Sequence, residues 1–212
     1  IHERSIVNFL KFQNDGEDTV HLGHSNFILD KNTLVKGFIF SKGAKLARIE
    51  ANSILKGKNA NFLLSAIYYG KEKQHHDITT FVHHDYENCI SNQVIRGVLD
   101  DHSKGVFQGK VKVSDHAQKT DGQQMCKSLL LSKNASVNNK PELEIYADDV
   151  ICTHGATVGE IDKNMIFYLC SRGLSFKDAK LLLIKGFVLE LIENISFKPF
   201  KKFVLEEIDF LG

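Results

Sequence analysis

Cys152 and His154 stand two residues apart in the run Val150-Ile151-Cys152-Thr153-His154, a thiol and an imidazole at the spacing that places both on one face of a β-strand. Soft thiolates hold sulfur or iron, and a nitrogen or carboxylate ligand completes the coordination of iron, so this pair could approach one metal ion. The plainer alternative is a small buried cysteine beside a packed histidine. Cys89, Cys126 and Cys170 complete a set of four cysteines, with no CxxC pair and no zinc-finger spacing; that is too sparse for a disulfide scaffold and fits a reducing compartment. His75-His76-Asp77 and His83-His84-Asp85 crowd six candidate ligands into a short stretch. Neighbouring residues point to opposite faces of a strand, so these read as polar ladders rather than as a metal cluster. No GxxxxGK[ST] loop appears, which removes the usual phosphate cradle of an ATPase.

Elements that could position such residues follow from the apolar spacing. Short alternations separated by Gly, Asn, Asp, Ser and Lys run from about 19 to 160 and predict strands near 34–40, 45–51, 62–68, 78–82, 94–99, 106–113, 128–131, 143–146 and 150–154. Strands that recur without intervening helices leave an antiparallel sandwich, an up-and-down barrel or a parallel β-helix. Small residues at the turns, such as Gly97, Gly105, Gly109 and Ala147, lean toward stacked rungs. Beyond 162 the period becomes helical. Met165, Ile166 and Leu169, then Ala179, Leu182, Leu183, Phe187, Leu191 and Ile195, recur at steps of three and four, with Gly173 ending one helix and Ser175 capping the next. A third segment is expected over 200–210. The division is a β body over 1–162 and a helical segment over 163–212.

The chain has 212 residues and a formal net charge of +1, with 27 basic against 26 acidic residues. That balance gives no footprint for nucleic acid. The apolar runs fall short of the ~20 residues needed to span a bilayer, so no membrane partner is expected. The first residues, Ile1-His2-Glu3-Arg4, read as an internal starting point, leaving any targeting segment outside the sequence.

Four phrases carry a resemblance: GVFQGKVKV (105–113), QKTDGQQMCKSLLLS (118–132), KPELEIYADDVICTHGATVGEID (140–162) and FYLCSRGL (167–174). They resemble the SufB/SufD family of iron-sulfur cluster assembly scaffolds, in its carboxy-terminal portion, and HGATVG with LEIYADDV resembles the SufD branch. The resemblance implies a right-handed parallel β-helix that pairs with a SufB-like paralogue, or with a second copy. It also implies that the helical tail binds the ABC-type ATPase SufC, and that the assembly handles a transient iron-sulfur cluster or iron in the cytoplasm or a plastid-type organelle. Cys126 sits where the SufB branch carries its sulfur-handling cysteine, and sulfur passing from it toward Cys152 is expected. Gly155 stands where the SufB branch has a glutamate, which suggests half of a shared site. Phe187, Leu191 and Arg172 are the expected ATPase contacts.

Two other classes remain in view. A β-helix carbohydrate-active enzyme would need convergent carboxylates, and the tight pair Asp148-Asp149 splits across a strand. A purely structural solenoid needs no site at all.

Overall fold

The computed structural model describes residues 1–209 and 211. Eleven strands come first: β1 (Ile6–Asp15), β2 (Val20–Leu29), β3 (Leu34–Gly43), β4 (Leu46–Leu55), β5 (Asn61–Gly70), β6 (His75–His84), β7 (Ile90–Leu99), β8 (Lys104–Val113), β9 (Thr120–Leu130), β10 (Ser136–Ile145) and β11 (Val150–Glu160). Odd strands stack in one parallel sheet in the order β1-β3-β5-β7-β9-β11, and even strands stack in a second, β10-β8-β6-β4-β2. The result is a parallel β-solenoid of about five turns, each turn giving one strand to each sheet.

Register shows the repeat directly. Ile6 lies beside Leu34, Leu34 beside Asn61, Asn61 beside Ile90 and Ile90 beside Asp121. One corner of every turn is made by a single residue in the left-handed region: Arg4, Asn32, Asn59, Asn88 and Lys119. Asparagine tolerates that conformation better than most side chains. Each such corner amide donates to the next turn, Asn32 to the Lys58 carbonyl and Asn59 to that of Glu87, and the Asn59 side chain donates to Asn32 Oδ1 at 2.8 Å. At another corner Gly43 has φ +70°, and a Cβ there would come 2.4 Å from the Asp15 carbonyl oxygen, so only glycine fits.

Alternation decides what fills the lumen. Leu29, Ile49, Phe62, Leu64, Ile78, Ile95, Leu99, Phe107 and Val111 point inward and form the main core. Toward the last turns the inward column of β9 becomes polar: Thr120, Gly122, Gln124, Cys126 and Ser128 are buried while Gln123 and Met125 are exposed. This is why only the last part of β9 reads as a strand from hydrophobicity. β1 and β2 were likewise missed, because their outward residues include Ile6, Val20 and Leu22 and blur the alternation. Pro141 is tolerated in β10 because β10 is an edge of its sheet.

Three helices follow: α1 (Lys163–Ser171), α2 (Phe176–Glu193) and α3 (Lys198–Asp209). Asp162 caps α1 by accepting the amides of Asn164 and Met165, and Ser175 caps α2 by accepting that of Asp178. The third helix begins earlier than the expected 200, with Pro199 in its first turn, where its missing N–H costs nothing; Phe210, in the same expectation, lies outside the described residues.

α2 and α3 fold back over the outer face of the first sheet. Ile184, Val188, Leu191, Ile192, Val204 and Ile208 pack on Phe38, Phe40, Ile67 and Val98 as a second core. Ion pairs Arg96–Glu190 at 2.8 Å, Lys180–Asp100 at 2.5 Å and Lys42–Glu207 tie the layers together. This corrects one expectation. Leu191 is 1% exposed, so it holds the helix to the solenoid and offers no surface to an ATPase. Phe187 is half-buried, with the Arg96 guanidinium 5.2 Å above its ring. Among the described residues no helix is long and apolar enough to cross a membrane.

Candidate functional site at the last turn

β11 is the last strand of its sheet, paired to β9 along one edge only. Its register sets Cys152 beside Gly122, His154 beside Gln124 and Ala156 beside Cys126. Gly122, Gln124 and Cys126 all face the lumen, so Cys152 and His154 face the same way, at the end of the stack where no further turn covers them. Cys152 is half-buried and His154 is exposed.

Gly122 makes room for the first of the two. A Cβ at that position would stand 3.2 Å from Cys152 Sγ, 3.4 Å from a methyl of Val111 and 3.8 Å from His84 Nε2. The sulfur therefore settles over a glycine, above the pair formed by His84 Nε2 and Ser91 Oγ at 2.7 Å. Burial raises the Cys152 thiol above its ordinary range; the Gly122 amide works against that shift and the Asp121 charge adds to it.

Cys126 lies deeper. It is fully buried in the lumen, and burial pushes its thiol up to about 12, so it is a neutral S–H at physiological pH. That proton is donated to Asn139 Oδ1 at 3.3 Å; the Asn139 amide donates to Ser128 Oγ at 3.3 Å, and Ser128 meets the Tyr68 hydroxyl at 3.5 Å. Tyr68 reaches this position because Gly97 has no side chain: a Cβ there would come 2.3 Å from the tyrosine ring. Periodicity did not single out Asn139, Ser128 and Tyr68 as the surroundings of Cys126, since each reads as an ordinary strand residue until the rungs are stacked. Cys126 and Cys152 lie four register positions apart, about 13 Å along the strand direction at ~3.3 Å per residue. Direct hand-over of sulfur between them is thus beyond contact distance.

Gly155 also departs from expectation. It neighbours Met125 on the outer face, with Met125 Cε 2.9 Å from where a Cβ would stand. A carboxylate at 155 would point away from Cys152 and His154, on the opposite side of the strand. Arg172 ends α1, exposed, with its guanidinium 5.3 Å from the Tyr168 ring centre. The adjacent histidines divide as their parity requires: His76 and His84 are buried in the lumen, while His75 and His83 are on the outer face. Among the described residues no three His, Cys, Asp or Glu side chains are placed to hold a metal ion. Cys152 and His154 thus offer two donors, and a four-coordinate iron would need the rest from elsewhere.

A family model described as "SUF system FeS cluster assembly, SufBD core domain" matches residues 1–187. The chain belongs to the SufBD family. It is 37% identical over 188 residues to the iron-sulfur cluster assembly protein SufD of Escherichia coli, covering 89% of this chain and 44% of that protein. A SufBD family protein of Synechocystis is 33% identical over 195 residues, covering 91% and 43%. "Protein ABCI7, chloroplastic" of Arabidopsis thaliana is 35% identical over 156 residues, covering 73% and 33%. The chain is SufD-like, and it spans less than half the length of these relatives. As a SufBD protein it has its thiol and imidazole on the lumen side of the solenoid's last described strand.

Proposed function

We propose that this SufBD chain is a scaffold, not an enzyme, on which iron-sulfur clusters form or from which they are delivered, with Cys152 and His154 supplying one half of a site that a paralogous SufB-like chain completes. One observation supports the reading most: two soft-metal-compatible donors share a face on β11, whose second edge carries no strand. An unpaired edge strand is a template for another chain. The apolar residues flanking the donors on that strand, Ile151 at 67% and Val158 at 54% exposed, are of the kind that an interface covers. Two donors are too few to retain iron alone, and this agrees with a cluster that is assembled and passed on as cargo. A homodimer would present the same edge to itself and is the alternative pairing.

Cys126 enters this reading as a sulfur-handling residue held in reserve. Its neutral thiol must lose its proton before it can act as a nucleophile; Asn139 Oδ1 accepts its hydrogen bond and orients the S–H, and the base that takes the proton arrives with the sulfur donor or the partner.

The SufC-type ATPase is assigned to the exposed face of the tail. Phe167 at 76%, Phe176 at 67% and Tyr168 at 51% exposed, with Arg172 against Tyr168, form an aromatic and cationic surface, and such residues dominate interface energetics. Phe187 and Leu191 contribute indirectly, by anchoring α2 to the solenoid.

The deciding experiment isolates the chain with a SufB-like partner and SufC and counts iron and acid-labile sulfide per complex. Cys152→Ala and His154→Ala variants should each lose most of both while keeping the complex intact. Cluster content at the wild-type level in both variants removes the site.

A further inference from the structure

About halfway along β7 and β9 the lumen holds two side-chain amides that no described residue satisfies. Gln93 on β7, Gln124 on β9 and His154 on β11 occupy one register column, which below Gln93 turns apolar at Leu64 on β5. Gln93 is 0% and Gln124 2% exposed, yet both nitrogens and both oxygens of the two amides lack a hydrogen-bond partner among the described residues. Across the lumen Thr80 on β6, 2% exposed, leaves its Oγ1 unpartnered as well. Its register neighbour on β8 is Gly109, where a Cβ would stand 2.2 Å from Gln124 Nε2. The Gln124 amide therefore extends right across the lumen to the opposite wall.

Leaving a buried polar atom unbonded costs about 1–3 kcal/mol, and five of them in one place are a burden that a fold does not carry without compensation. The donors and acceptors are all neutral. That suits a small uncharged ligand offering both hydrogens and lone pairs, and disfavours a bare ion, whose charge these amides would not balance. We propose that Thr80, Gln93 and Gln124 hold a file of internal water molecules inside the last turns of the solenoid, closed at one end by Leu64 and running at the other to the lumen side of His154. At about three hydrogen bonds per buried water, the five atoms call for roughly two molecules. Independently of any iron-sulfur chemistry, these waters give the His154 ring hydrated, polar surroundings on its lumen side.

Oxygen-17 magnetic relaxation dispersion on the full chain counts long-lived internal waters directly. The Gln93→Leu, Gln124→Leu double variant, close in volume and without the amides, should show a dispersion amplitude smaller than wild type by roughly two waters. Equal amplitudes overturn the proposal. If the double variant does not fold, a high-resolution crystal structure of the wild-type chain decides instead. Ordered water within hydrogen-bonding distance of both amides supports the file, and Gln93 Oε1 accepting directly from Gln124 Nε2 with no water bound to either overturns it.

Discussion

At the scale of single residues, the lumen of this solenoid is selective about charge. His76 accepts or donates at Ser41 Oγ, 2.9 Å from Nδ1, and His84 does the same at Ser91 Oγ. Burial pushes both imidazoles down to about 4 from their ordinary 6.5, each with a smaller push from the histidine beside it. Since the unfolded chain binds these protons more readily than the fold does, the stability they contribute is fully present above pH 6.5. It drains as pH falls from 6.5 toward 4, at about 1.4 kcal/mol per pH unit for each histidine in mid-interval. Urea unfolding between pH 7.5 and 4.5 should show this slope, and His76→Gln should remove about one proton from it; an unchanged slope contradicts the burial account. Cys152 and His154 were legible as a pair because a strand's period of two fixes their common face. The depth of Cys126 was not, because it depends on Asn139 arriving from the opposite sheet, thirteen residues later in sequence.

At the scale of elements, what was legible followed apolar content. Strands with hydrophobic inward columns, such as β5 and β8, stand where alternation puts them, and helices α1 and α2 follow their caps and their three-and-four spacing. β9 was half hidden because its inward residues are Thr, Gly, Gln, Cys and Ser. The repeat itself had a signal that hydrophobicity ignores: Asn32, Asn59 and Asn88, 27 and 29 residues apart, each at a left-handed corner. Leu191 was expected to face an ATPase because its apolar neighbours on the first sheet come from far earlier in the sequence; they form a second layer that buries it. This separates two kinds of tail substitution. Leu191→Ala removes a buried anchor and should cost about 2–5 kcal/mol of stability. The exposed pair Phe167→Asp and Phe176→Asp should leave the melting temperature within a few degrees of wild type and abolish co-purification with the ATPase. Retained ATPase binding in the Phe167/Phe176 variant, or an unaffected melting temperature in Leu191→Ala, reverses that division of labour.

At the scale of the whole molecule, a stack of turns is a nearly one-dimensional object in which each strand contacts its neighbours above and below. β3, β5, β7 and β9 have a partner on both edges, whereas β1 and β11 have one, as do β2 and β10 in the other sheet. Local opening should therefore be easiest at the ends and hardest in the middle. The helical layer breaks the symmetry: α2 and α3 lie across Phe38, Phe40, Ile67 and Val98, on β3, β5 and β7, and reach Phe12 on β1, so they cover the early and middle turns and leave β11 with β9 as its one sheet partner. Amide hydrogen exchange on the isolated chain should show the slowest exchange in β5 and β7 and fast exchange along β11. If a paralogous chain seals the open end, adding it should slow exchange in β11 and β10 by an order of magnitude or more while leaving β5 and β7 unchanged. Protection confined instead to α1 and the start of α2 would mean that the partner docks on the tail. The donors on β11 would then face solvent in the complex, and the half-site reading would fall with them.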